Sequence, residues 1–220
     1  MKRVLILVEG QTEETFVREV LAPHLLRLGL ALIPRLVVTK YVKEGGSFKG
    51  GVPHYALVQG DLRRLLGDTG ATCVTTMLDY YGLPRDFPGL ATRPHGNCYT
   101  RVEHVERAFA EDITHPRFLP YLALHEFEAM VFAEPSQCSI SFSTEEITKL
   151  KAIRAGVQSP EEINEHPDTA PSKRVLAISP GYQKTLHGPL AVMSIGLSII
   201  RAACPHFAQW LSKLEALAEG

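Results

Sequence analysis

The sequence predicts an α/β protein: a mostly parallel sheet flanked by helices, with a helical C-terminal part. Three observations lead there. Strand-like and helix-like stretches alternate up to about residue 132, the order that builds parallel strands through helical crossovers. Residues 143–219 carry helical signals only. The first strand-like run, at 3–8, is apolar without a break from Val4 to Val8, as expected of a strand covered on both faces. The expected division is an α/β domain over 1–135 and a helical part over 136–220 packed on it.

The elements follow in order. After the strand at 3–8, Thr12 is the expected N-cap of a helix whose apolar face is Phe16, Val17, Val20, Leu21 and Leu28. Pro23 is expected to kink or split that helix. Gly10 stands where the chain turns from strand to helix, with a positive φ or with little room for a Cβ. Residues 32–42 read as a second strand and 44–51 ("EGGSFKGG") as a flexible loop. Pro53 opens a helix that runs to about Leu66. A third strand covers 72–78 and stops at Asp79. The Pro- and Gly-rich stretch 80–96 is loop, 97–112 is helix, and a fourth strand at 118–124 runs into "HEFE" (125–128). Pro205 opens a last helix with Phe207, Trp210, Leu211, Leu214 and Leu217 at helical spacing.

At 220 residues the chain suffices for one sizeable domain, or one with a smaller appendage. Its formal net charge of -1 carries no global signature of a nucleic-acid or membrane binder, so any such surface must be a local patch. Cys73, Cys98, Cys138 and Cys204 lie far apart with no CxxC pair, which argues against a zinc site or a redox dithiol. Their scatter fits reduced thiols in a cytoplasmic protein. The opening "MKRVLILVEG" starts like a signal peptide, but the apolar run stops at Glu9 and no small-residue cleavage site follows. The stretch 189–200 is diluted by Ser and Gly and falls short of the roughly 20 apolar residues of a membrane span. A cytoplasmic protein off the membrane is expected; whether it forms a homo-oligomer stays open.

The chemistry concentrates in the acids. Glu9 follows the first predicted strand, Asp79 the third, and Glu126 and Glu128 the fourth, while Glu13 falls in the first turn of the first helix. In an open parallel sheet such strand ends lie along one edge, where ligands bind in these folds. Two carboxylates about 4 Å apart repel by roughly 4 kcal/mol at an effective dielectric of about 20. Four or five on one edge therefore need a cation or shifted pKa values. Carboxylate oxygens are natural ligands of Mg²⁺ or Mn²⁺, which leave positions open for phosphate. The plainer alternative is that Glu13 and Glu14, or Glu126 and Glu128, favour the positive end of a helix dipole. That covers each acid singly but not their placement after three separate strands.

"VEGQTEE" (8–14) resembles the opening motif of TOPRIM domains, the metal-binding fold of topoisomerases, primases and nucleases of the overcoming-lysogenization-defect (OLD) type. "MLDYYGLP" (77–84), "LHEFEAMVF" (124–132), "PSKR" (171–174) and "GLSIIRAACPHFAQWL" (196–211) extend it over nearly the whole chain. Together they resemble a bacterial family of small stand-alone TOPRIM-like proteins that often neighbour AAA-type ATPases. The resemblance implies that residues 1–135 form a TOPRIM-like domain. It also implies that Glu9 is a metal ligand or general acid/base, and that Asp79 opens a DxD motif. The second Asp of that motif is Tyr81 here, which puts ordinary two-metal binding in question. Glu126 and Glu128 are candidates to supply the missing charge, and Glu13 a further metal ligand. A lysine near the domain's end is also implied, with Lys173 and Lys184 both eligible. The implied function is Mg²⁺- or Mn²⁺-dependent hydrolysis of DNA or RNA, in anti-phage defence with an AAA-type ATPase partner. The alternative is a non-catalytic TOPRIM-like module that binds such a partner or a nucleotide, which Tyr81 favours.

Other motifs are weaker. "GGSFKGG" lacks the GxxxxGK[ST] spacing of a Walker A loop, and no GxGxxG follows a strand. Lys40, Lys43 and Lys49 on and beside that loop are candidate contacts to a nucleic-acid backbone, as are Arg85, Arg93 and Arg101 around the loop after Asp79. Scattered surface charge accounts for the same residues. His95 and His125 lie beside the acids, where a lone histidine is more often structural.

Overall fold

The computed structural model describes residues 1–37, 52–163 and 169–219. Lys40, Lys43, Lys49 and the loop "EGGSFKGG" lie outside the described residues. Among the described residues the sheet has five strands: β1 (Lys2–Val8), β2 (Leu30–Leu36), β3 (Ala71–Asp79), β4 (Phe118–Leu119) and β5 (Leu122–Ala123). The order is β2-β1-β3-β4 with β5 also on β3, and every pairing is parallel. The start of β1 therefore pairs with the starts of β2 and β3, which brings Val8 beside Met77 and leaves Glu9 and Asp79 at one edge.

The alternation of β1 builds three layers, because successive side chains of a strand point to opposite faces. Val4, Ile6 and Val8 enter one core with Phe16, Val17, Leu21, Phe207, Trp210, Leu211 and Leu214. Leu5 and Leu7 enter the other with Val58, Leu62, Val102, Val105 and Phe109. The second core belongs to α3 (Tyr55–Leu66) and α4 (Cys98–Ile113), where Phe109 packs edge-on against Phe87 and Phe118 at 4.7 and 4.9 Å. The first is closed by α5 (Thr144–Arg154), α6 (Pro171–Ile178), α7 (Lys184–Ile195), α8 (Leu197–Ala203) and α9 (Pro205–Ala216). The mostly parallel sheet, its flanking helices and the helical C-terminal part are as the sequence predicts. All four cysteines are buried and none forms a disulfide.

One local expectation is met and two change. The first helix divides into α1 (Gln11–Phe16), a π-helical turn (Val17–Leu21) and α2 (Ala22–Leu26): a wider turn accommodates Pro23, which has no N–H and whose ring would strike the turn before it. The N-cap of α1 is Gly10, not Thr12, and Glu13 Oε2 accepts the Gly10 N–H at 2.9 Å. The expected strand 118–124 forms only two short pairings. Pro120 lacks the N–H a ladder needs, and the Thr76 hydroxyl takes over at the gap, accepting from Tyr121 N–H at 3.0 Å and donating to Tyr121 C=O at 2.8 Å. Pro34 lies inside β2, which tolerates it as an edge strand.

Among the described residues no single helix is long and apolar enough to cross a membrane. The stretch 189–200 is shared between α7 and α8, which bend by 87° at Gly196.

Candidate functional site

Four segments deliver acids to one edge of the sheet. Glu9 ends β1, and its Oε2 accepts the backbone N–H of Asp79 at 3.2 Å. Asp79 ends β3, and its Oδ1 accepts the backbone N–H of Phe127 at 3.0 Å. Glu13 comes from α1, and Glu126 and Glu128 from the stretch around a 3₁₀ turn at Phe127–Phe132. The acid after each strand is thus tied to the backbone of the next segment, an arrangement that holds the edge together without using the second carboxylate oxygen.

Glu126 is oriented from the C-terminal part. Both the N–H and the hydroxyl of Ser172, in the first turn of α6, donate to its two oxygens at 2.8 and 3.0 Å. Lys184, the first residue of α7, places Nζ 3.3 Å from Glu128 Oε1 and 3.4 Å from Oε2. Glu128 is only 1% exposed, and its Oε1 accepts no hydrogen bond among the described residues. Lys173 lies exposed on α6. Of the two candidate lysines, Lys184 is the one the structure brings to the acids.

Burial dominates the electrostatics. It raises the pKa of Glu9, Asp79 and Glu128. Glu9, Glu13, Glu128 and Glu126 push Asp79 further up, and Asp79 lies well above the usual carboxylate range. Glu13 is pushed up to about 7, first by burial and then by Glu9, against the hydrogen bond from Gly10. Lys184 is raised because the charges of Glu128, Glu126 and Asp79 outweigh its own burial.

The donor set, all carboxylate oxygen with one buried oxygen, Glu128 Oε1, that accepts no hydrogen bond among the described residues, fits a hard divalent cation in chemistry. Among the described residues no three His, Cys, Asp or Glu side chains converge on one metal position. Sharing an ion would require the carboxylates that accept backbone N–H groups to turn.

Gly10 has φ -149°, ordinary extended backbone, so the expected positive φ is corrected. The expected lack of room is present: a Cβ there would stand 3.3 Å from Glu13 Oε2. Positive φ occurs instead at His125 (φ 66°), 1% exposed, whose carbonyl accepts the Tyr81 N–H at 3.0 Å. Burial lowers its pKa to about 4, which keeps the ring neutral, and Nδ1 has no partner among the described residues. His95 is exposed. Arg85 and Arg93 are exposed on the loop after Asp79, with Arg93 donating to the Tyr80 hydroxyl at 3.1 Å and lying over its ring. Arg101 lies in the first turn of α4, its Nε donating to Asn97 C=O at 3.3 Å. Sequence reasoning missed Ser172. It lies in the motif "PSKR" (171–174), where an uncharged serine gives no sign of the carboxylate it holds.

The fold and site define a class: an open parallel α/β sheet covered on both faces by helices, with a partly buried acidic cluster at the C-terminal ends of its strands. The chain belongs to the family described as a domain of unknown function (DUF4276), which matches residues 8–215. No curated protein matches it. Among solved structures it is similar to the C-terminal region of the Burkholderia pseudomallei OLD protein, at 17% identity and a TM-score of 0.45, over 99% of both chains.

Proposed function

We propose that this protein is a TOPRIM-like, divalent-metal-dependent nuclease that hydrolyses phosphodiester bonds of DNA or RNA. The observation that carries the reading is the meeting of five carboxylates and one lysine, from segments far apart in sequence, at the ligand-binding edge of a parallel sheet. The motifs at 8–14 and 77–84 support the TOPRIM assignment. Glu9, Glu13, Asp79, Glu126 and Glu128 would hold Mg²⁺ or Mn²⁺, which when bound supplies an activated water and offsets charge developing on the phosphorus oxygens. The chain's own groups do the rest. Ser172 and the N–H groups of Asp79 and Phe127 orient the acids. Lys184 offers an ammonium to a phosphate oxygen beside Glu128. Arg85, Arg93 and Arg101 flank the edge as backbone contacts for the nucleic acid. An AAA-type ATPase partner and a place in anti-phage defence complete the proposal, on the strength of the motif resemblance.

A second reading, a TOPRIM-like module without hydrolysis, is favoured by Tyr81 in the DxD position and by the absence of three converging ligands among the described residues. Calorimetric titration with Mn²⁺, followed by cleavage assays on single- and double-stranded oligonucleotides, decides between them. Metal binding with metal-dependent cleavage that Lys184→Met abolishes supports the nuclease. Absence of Mn²⁺ binding rejects it.

A further inference from the structure

Lys184 and Gly188 stand one turn apart on α7 and so share a face. Lys184 reaches Glu128. Gly188 lies inside the helix, where glycine is unfavourable relative to alanine and needs a reason. The reason is Tyr182. A Cβ at Gly188 would stand 2.8 Å from the Tyr182 hydroxyl, with Phe127 Cε1 and Thr12 Cγ2 next at 3.6 and 3.7 Å.

Tyr182 is 6% exposed, its ring stacked on Phe142 at 5.8 Å. Its hydroxyl has no hydrogen-bond partner among the described residues. Phenylalanine would fill the same stack without leaving a buried polar atom unpaired, which is costly. The charges that bear on the hydroxyl are led by Glu128, then Glu126, with Glu13 also contributing. Tyr182 Oη, a donor without a hydrogen bond among the described residues, thus lies beside Gly188 with Phe127, the neighbour of Glu128 in sequence, while Glu128 Oε1 faces Lys184 Nζ at 3.3 Å but accepts no hydrogen bond.

We propose that Tyr182 is a positioning residue of the acidic edge: its hydroxyl donates to Glu128 when that carboxylate turns to hold a cation, and Gly188 is the gap in α7 that admits it. The proposal rests on the metal-dependent reading above. An O–H donated to a ligating carboxylate fixes its orientation and favours its ionised form, and loss of such an outer partner typically weakens metal binding 10- to 100-fold.

The test is calorimetric Mn²⁺ titration of the full chain as wild type, Tyr182→Phe, Gly188→Ala and the double variant, with melting curves of the metal-free proteins. Tyr182→Phe should melt no lower than wild type without metal and bind Mn²⁺ at least about 10-fold more weakly. Gly188→Ala should weaken binding similarly by displacing the hydroxyl, and should add less than about twofold once the hydroxyl is gone, since the two act through one contact. If wild type binds Mn²⁺ and Tyr182→Phe binds it within about twofold, the role of Tyr182 is refuted and the metal reading stands. If wild type binds no Mn²⁺, the metal reading falls and takes this role with it. A Tyr182→Phe protein that does not fold also overturns the proposal, because the hydroxyl then serves the fold itself.

Discussion

The carboxylate of Glu9 accepts the backbone N–H of Asp79 at 3.2 Å, so the acids that end β1 and β3 are linked through the main chain. Glu9 therefore serves no helix cap, since the cap of α1 is Gly10 with Glu13 folded back on it. The link holds the two carboxyl groups near each other, with one oxygen of Glu9 and one of Asp79 each accepting a backbone N–H.

Glu9→Gln keeps an oxygen for the Asp79 N–H and removes one partly buried acidic group. The metal-free variant should melt at the wild-type temperature or slightly above. Its Mn²⁺-induced rise should shrink, by about 1.4 kcal/mol for each tenfold loss of affinity. Melting curves of both proteins with and without Mn²⁺ check this. A lowered melting point with an undiminished metal increment would show that Glu9 is a purely structural anchor.

Lys184 and Lys173 are separable by substitution with Met. Lys184→Met leaves Glu128 buried without its cation and should cost about 1–3 kcal/mol in urea unfolding at pH 8, less than a fully buried pair because Lys184 is half-exposed. Any nuclease activity should fall by about 10²-fold or more. Lys173→Met should stay within about 0.5 kcal/mol of wild type. Activity lost in the Lys173 variant and kept in the Lys184 variant would reverse the assignment.

Glu13 makes the metal-free protein pH-dependent in a defined direction. Its pKa is raised from 4.5 unfolded to about 7 folded. Between those values the folded state holds more protons than the unfolded state, so its contribution is full below pH 4.5 and is lost as pH rises through about 7. His125 acts oppositely between about 4 and 6.5, because its folded pKa is lowered. The difference between wild type and Glu13→Gln isolates Glu13. It should move against wild type by on the order of 1–3 kcal/mol from pH 4.5 to 8. Mn²⁺ affinity should rise over the same range, because the ligand must lose its proton. Denaturation of both proteins at several pH values reads the first effect, and a flat difference would refute it.

The ends of the first and third strands were legible because their apolar runs stop at Glu9 and Asp79, whereas the second, read from 32, begins at Leu30 and has no acid after Leu36 to mark its end. The gap in the fourth strand was missed at Pro120, where an unbroken strand was expected, and the repair had no local signal, since nothing near residue 76 says that its hydroxyl will replace a ladder partner. Lys184 and Lys173 could not be told apart by spacing, because what separates them is the packing of α7 against the edge rather than either local sequence. Ser172 was hidden for a related reason: a hydroxyl and an N–H at the start of a helix look like a cap until the carboxylate they hold is seen to come from 46 positions away.

The loop after Asp79 depends on Gly89, which has φ 75° and whose Cβ would fall 2.7 Å from Ala108 Cβ. Gly89→Ala combines left-handed backbone strain with a clash against α4 and should destabilise by roughly 2–4 kcal/mol. Chemical denaturation measures it, and a loss below about 0.5 kcal/mol would show that the loop moves away from α4 without penalty.

The buried cysteines give the molecule a built-in record of its own opening. Burial raises Cys73 to about 11 and Cys138 to about 12, so in the closed fold almost no thiolate exists to meet an alkylating reagent. Cys73 reports on the middle of the sheet, Cys98 on the start of α4, Cys138 on the packing beneath α7, and Cys204 on the joint between α8 and α9. Pulse alkylation followed by mass analysis would date the exposure of each separately. It would thereby distinguish a chain whose helical layer lifts off an intact sheet from one that opens everywhere at once.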